Sequence, residues 1–65
     1  MRKWTDEIDA EADEFFSTLS EREIRRRQDL CKQQLKIAHD RGLTDALIDL
    51  QRMEAALTRA MLARL

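Results

Sequence analysis

Few side chains in this 65-residue chain are suited to making or breaking bonds. Cys31 is its one cysteine and His39 its one histidine, and tyrosine is absent. A catalytic nucleophile needs a base within hydrogen-bond reach. No serine, second cysteine or second histidine stands at a spacing that would build such a pair. A protein zinc site needs several thiolate or imidazole ligands, and His39 has no second soft ligand near it. One glycine, Gly42, leaves no material for a phosphate-binding loop. The sequence therefore predicts a protein that is not an enzyme and holds neither cofactor nor metal.

Charge is the next candidate. Arg22, Arg25, Arg26 and Arg27 precede Lys32 and Lys36. On a helix Arg25, Lys32 and Lys36 share one face, with Arg22 and Arg26 beside them, and such a stripe can contact phosphates. Several features oppose that reading. Glu21, Arg25 and Asp29 form an i, i+4 ladder, and Lys36 with Asp40 forms another. The acids Asp6, Glu7, Asp9, Glu11, Asp13 and Glu14 can neutralise the arginines, and the net charge is −1. No aromatic residue interleaves with the stripe, as single-strand binding would require. A solvated, salt-bridged face is the simpler reading. A dimeric nucleic-acid-binding regulator using Arg22, Arg25, Arg26, Lys32 and Lys36 is the alternative.

The elements that carry these residues are helices. Proline is absent, 43% of residues are hydrophobic and 38% charged, and good helix formers dominate. Trp4, Ile8, Ala12, Phe15 and Leu19 recur every three or four residues, with Phe16 beside them, which predicts an amphipathic helix over about 5–18 capped by Thr5. Ser20 with Glu23 reads as a capping box and Leu19 with Ile24 as a staple, opening a second helix over about 21–41. Gly42 is the stop, because glycine adopts the left-handed conformation without strain. Thr44 is the cap candidate for a third helix over about 45–64, with Leu43 and Ile48 as its staple. The fold class is all-α: a long antiparallel helical hairpin preceded by a short amphipathic helix, in one domain that assembles into a helical bundle.

Folding about Gly42 pairs residues whose numbers sum to about 85. Ala38 then meets Leu47, Leu35 meets Leu50, Cys31 meets Met53 and Ile24 meets Met61. Cys31 on this seam reads as a small buried hydrophobe. Glu54 falls inside the apolar arc of the third helix and Arg27 interrupts that of the second, which leaves two equal readings: a Glu54–Arg27 pair that sets register or partner choice, or two long side chains reaching solvent at the edge of the seam. The seam leaves apolar residues over: Leu30 and Ile37 on the second helix, and Ile48, Ala55 and Leu62 on the third. Exposed apolar patches of several hundred Å2 are uncommon on monomers. A chain this short buries only about 60% of its unfolded surface and often gains stability by association. The predicted partner is a second copy or a larger protein, met by Leu30, Ile37, Ile48, Ala55 and Leu62, and by Trp4, Phe15 and Phe16 as aromatic anchors.

Residues 28 to 58 resemble in outline a family of small helical-hairpin aspartyl-phosphate phosphatases. The shared outline is a helix ending in Ala38-His39-Asp40-Arg41-Gly42-Leu43-Thr44-Asp45, followed by a second amphipathic helix. That family carries Ser-Gln-Glu-Leu-Asp on the second helix. The aligned stretch here is Leu50-Gln51-Arg52-Met53-Glu54, which matches at Gln51 alone, so no site residue carries over. The resemblance implies that a hairpin of this size can act by docking onto a larger protein. The basic start Met1-Arg2-Lys3 is followed at once by acids rather than the apolar run of a signal peptide. No apolar stretch is long enough to span a bilayer. With a single cysteine, the expectation is a cytoplasmic protein with no membrane partner.

Overall fold

A computed structural model describes residues 4–64. Met1, Arg2, Lys3 and Leu65 lie outside the described residues, and with them the basic start and the last residue of the chain. Three helices follow one another: α1 (Asp6–Ser17), α2 (Glu21–Asp40) and α3 (Thr44–Leu62), with no strand among the described residues. The all-α class predicted from composition is the class observed.

The helix ends explain the boundaries. Thr5 caps α1, its hydroxyl accepting from the Ile8 N–H at 3.2 Å. Asp6, Glu7 and Asp9 fill the first turn, where the positive end of the helix dipole favours acids. At the other end the hydroxyls of Ser17 and Thr18 donate to the Glu14 and Phe15 carbonyls at 2.6 Å. Such short side chains compete with the backbone for its partners and help stop the helix. Ser20 opens α2 by accepting from the Glu23 N–H at 3.2 Å. The capping box is one-sided, because no bond returns from the Ser20 N–H to the Glu23 side chain among the described residues.

Gly42 ends α2 as its sequence position requires, with φ +68°. Its N–H donates to the His39 carbonyl at 3.1 Å, and the Leu43 N–H donates to the Ala38 carbonyl at 2.9 Å. These are the two bonds of a Schellman motif. The expected Thr44 cap does not form. Leu43 is itself the N-cap of α3, and no side chain caps it. Its N–H closes α2 while its carbonyl accepts from the Leu47 N–H at 3.0 Å to open α3. One residue serves both helices, so Thr44 falls inside the first turn. The expected Leu43–Ile48 staple fails for the same reason: both side chains stay exposed, and Leu47 packs on the core instead.

A Cβ on Gly42 would meet no atom within 4 Å, so replacing this glycine costs conformation and nothing else. Gly42→Ala should cost about 1–2 kcal/mol, the penalty of a left-handed alanine. Gly42→Asn should cost less, because asparagine tolerates that conformation. Melting temperatures of the two variants compare the costs, and equal losses would mean that the turn fails for another reason.

The core lies between α2 and α3 and continues under α1. Ile24, Cys31 and Ala38 of α2 are buried against Leu50 and Leu57 of α3, with Leu35, Leu47, Met53 and Met61 packed at the margin. α1 packs on α3 and hardly touches α2. Its direction follows from three contacts: Trp4 meets Asp49, Asp13 meets Arg59, and Ser17 meets Arg64. α1 therefore runs parallel to α3 and antiparallel to α2. Ala12 and Phe16 point into the core, with Trp4 and Leu19 half-buried at the ends. Phe15, expected on that stripe, is half exposed, and its neighbour Phe16 takes the core position. Arg59 holds Asp9 at 3.1 Å and Asp13 at 3.0 Å, so that flank of α1 faces α3 and Phe15 lies on the flank turned away from it.

Candidate protein-interaction surface

Six large apolar side chains remain between 48% and 61% exposed: Phe15, Leu30, Ile37, Leu43, Ile48 and Leu62. Four of them belong to the leftover apolar set read from the sequence, and the fifth member of that set, Ala55, is also exposed. The fold does not gather the set into one stripe. On α3 the side toward α2 carries Leu50 and Leu57, and the side toward α1 carries Asp49 and Ala56. Ile48, Ala55 and Leu62 each precede or follow these lines by about 100° of helix rotation, so they lie on the outer surface of α3. Leu30 and Ile37 lie on the flank of α2 nearest α1. Arg27 marks that flank, because its guanidinium sits 5.3 Å from the Phe15 ring centroid. The apolar surface is thus split between an α1–α2 edge, with Phe15, Leu30 and Ile37, and the back of α3.

Of the three aromatic anchor candidates, Phe15 alone is free. Phe16 is in the core, with its ring centroid 5.8 Å from that of Phe15. Trp4 is tied down twice. Its backbone N–H donates to the buried Asp49 carboxylate at 3.0 Å, and its indole N–H donates to Asp9 at 3.0 Å. That indole bond holds the Asp9 carboxyl below the usual aspartate range; partial burial opposes it, and Arg59 adds to the lowering.

Of the two readings of Glu54 and Arg27, the pair across the seam does not form. Arg27 turns to Phe15, and among the described residues neither side chain belongs to an ion pair with the other. Glu54 lies instead near Cys31. Burial first, and the Glu54 charge second, push the Cys31 thiol up. The thiol donates to the Leu50 carbonyl at 3.3 Å and is buried, so it stays protonated and protected.

The basic residues Arg22, Arg25, Arg26, Lys32 and Lys36 are all exposed. Arg25 pairs with Glu21 at 2.8 Å. The expected Arg25–Asp29 and Lys36–Asp40 rungs are missing among the described residues, and Asp40 lies 3.9 Å from His39 instead. Both missing rungs place the cation N-terminal to the acid, the weaker order on a helix. The acids of α1 do not neutralise this stripe either, since Asp9 and Asp13 go to Arg59. Two shallow clefts open on the surface. One lies between α1 and the end of α3, around Asp13, Ser17, Arg59 and Arg64. The other surrounds the hairpin tip at Leu43, Thr44, Asp45 and Ile48. Neither is lined by Cys31 or His39.

No helix among the described residues is long and apolar enough to cross a membrane. In comparisons with known proteins, the chain matches no family model, no curated protein and no solved structure.

Proposed function

We propose that this chain is a non-enzymatic helical interaction module that associates with itself through apolar side chains its own fold leaves uncovered. The observation that carries this reading is the 49–61% exposure of Leu30, Ile37, Ile48 and Leu62, joined by Phe15, in so small a chain. Covering apolar surface is worth about 25 cal/mol per Å2. A monomer with little core has much to gain from that. A lone, protected thiol suits the reducing cytoplasm, where we place the protein.

Light scattering behind a sizing column, run over a wide range of concentrations, tests the proposal. The expected result is a dimer mass that falls toward one chain on dilution. A single-chain mass at every concentration would remove self-association from the reading.

The alternative is a nucleic-acid-binding regulator, favoured by the exposure of Arg22, Arg25, Arg26, Lys32 and Lys36 along α2. It requires retention on DNA or RNA that collapses as salt is raised. The six acids of α1 weigh against it, because any phosphate backbone reaching past α2 meets them.

A further inference from the structure

Most of the acids on α1 and most of the bases on α2 have no ion-pair partner among the described residues. α1 carries six acids and no base. Asp9 and Asp13 are used by Arg59, while Asp6, Glu7, Glu11 and Glu14 are exposed and form no ion pair among the described residues. On α2, Arg22, Arg26, Lys32 and Lys36 are exposed and equally without an ion-pair partner there. The two helices hardly touch, so neither set neutralises the other within one chain.

The spacing of the two sets is the same. On α1, Glu7, Glu11 and Phe15 stand on successive turns, all exposed. On α2, Arg22, Arg26 and Leu30 stand on successive turns, all exposed, and Ile37 continues the apolar end two turns on. Each row is two like charges followed by a large apolar side chain, spanning roughly 12 Å along its helix. Laid side by side in the same direction, Glu7 meets Arg22, Glu11 meets Arg26, and Phe15 meets Leu30. Within one chain α1 runs antiparallel to α2, so the rows cannot align that way. A two-fold axis perpendicular to the helices reverses one copy against the other. It sets α1 of each copy parallel to α2 of its partner, which is the direction the rows require.

We infer that two copies pair isologously along their α1–α2 edges, the Glu7-Glu11-Phe15 row of each lying on the Arg22-Arg26-Leu30 row of the other. This deepens the self-association reading and rests on it. A second copy is the fitting occupant because it answers both rows at once, in keeping with a net charge of −1. A polyanion, or a uniformly acidic or basic protein, meets one row and is repelled by the other.

A charge-exchange experiment on the full chain tests the pairing. One variant carries Glu7→Lys and Glu11→Lys, the other Arg22→Glu and Arg26→Glu. All four side chains are exposed, so both variants should fold, as circular dichroism would verify. Each variant alone sets like charges across both contacts and should weaken the dimer by roughly tenfold or more. In an equal mixture every contact again joins opposite charges, and a heterodimer should form at wild-type concentrations. Two doubles that dimerise like wild type would overturn the row pairing and leave self-association standing, pointing to Ile48, Ala55 and Leu62. Doubles that stay monomeric even when mixed would also overturn it. A wild-type chain that is monomeric throughout would instead remove the reading beneath it.

Discussion

Leu57→Ala should leave much of the protein unfolded at room temperature. Leu57 and Ile24 are the largest side chains with no exposure, and Leu57 lies on the α3 seam toward α2. Truncating a buried leucine to alanine costs about 2–5 kcal/mol, combining lost transfer energy with the cavity left behind. A domain of this length is stable by about 3–10 kcal/mol. The loss is thus comparable to the whole stability, with no second core to compensate. Leu62, 61% exposed five residues further along the same helix, provides the control. Leu62→Ala should change monomer stability by no more than about 0.5 kcal/mol. Urea unfolding followed by circular dichroism separates the two. If both variants lost the same stability, the placement of α3 against α2 would be wrong by about a third of a helix turn.

Arg59→Glu should release α1 and leave the α2–α3 hairpin intact. The guanidinium forks between Asp9 and Asp13, and a glutamate there would face two acids at close range. Arg59→Lys should retain part of the docking, because an ammonium cannot reproduce the planar fork. Trp4 is the only tryptophan and packs at the start of α1, so its emission reports the docked state directly. The expected result is red-shifted emission and a loss of helical signal the size of α1. Unshifted emission would show that apolar packing alone holds the helix. Acid should act at the same place. The folded pKa of Asp9 lies below its ordinary value, first through the Trp4 indole and then through Arg59. Its contribution is therefore fully present above the unfolded value, about pH 4, and is lost as pH falls through the lowered one. Trp4 emission of the wild-type chain should shift in that acidic range, and Arg59→Glu should lack the step.

The residues that declare helix ends were legible in the sequence. Thr5, Ser20 and Gly42 each act through neighbours within five positions, so their local pattern decides their role. The seam residues Ile24, Cys31, Ala38 and Leu50 were legible as well, because helical periodicity fixes each one's angle on its own helix. What periodicity does not contain is the side of the hairpin that α1 takes. Phe15 and Phe16 are adjacent and equally apolar, and the choice between them depends on how α1 meets α3, whose contact at Arg59 lies more than forty positions away. The same missing fact hides that the leftover apolar residues fall on two surfaces, with α1 beside Leu30 and Ile37, and with Ile48, Ala55 and Leu62 on the back of α3. It also leaves a Glu54–Arg27 pair open, whereas Arg27 sits over the Phe15 ring. Thr44 departs from its expected capping role for a different reason: a turn so short that Leu43 closes one helix and opens the next leaves no place for a separate cap.

Because α1 rests on α3 and not on α2, the chain has an order of assembly. α2 and α3 are joined by a turn that already fixes their directions, and their seam closes over short loops. The contacts of α1 join residues 45 to 50 positions apart, from Trp4–Asp49 to Asp9–Arg59. Closing a longer loop costs more entropy, and contacts remote in sequence form later. The hairpin is expected to form first and α1 to arrive last, onto a surface that already exists. In reverse, α1 leaves first, through an opening smaller than global unfolding. Amide hydrogens of α1 then exchange at a rate set by undocking, while those around Ile24 and Leu57 wait for the whole chain to come apart.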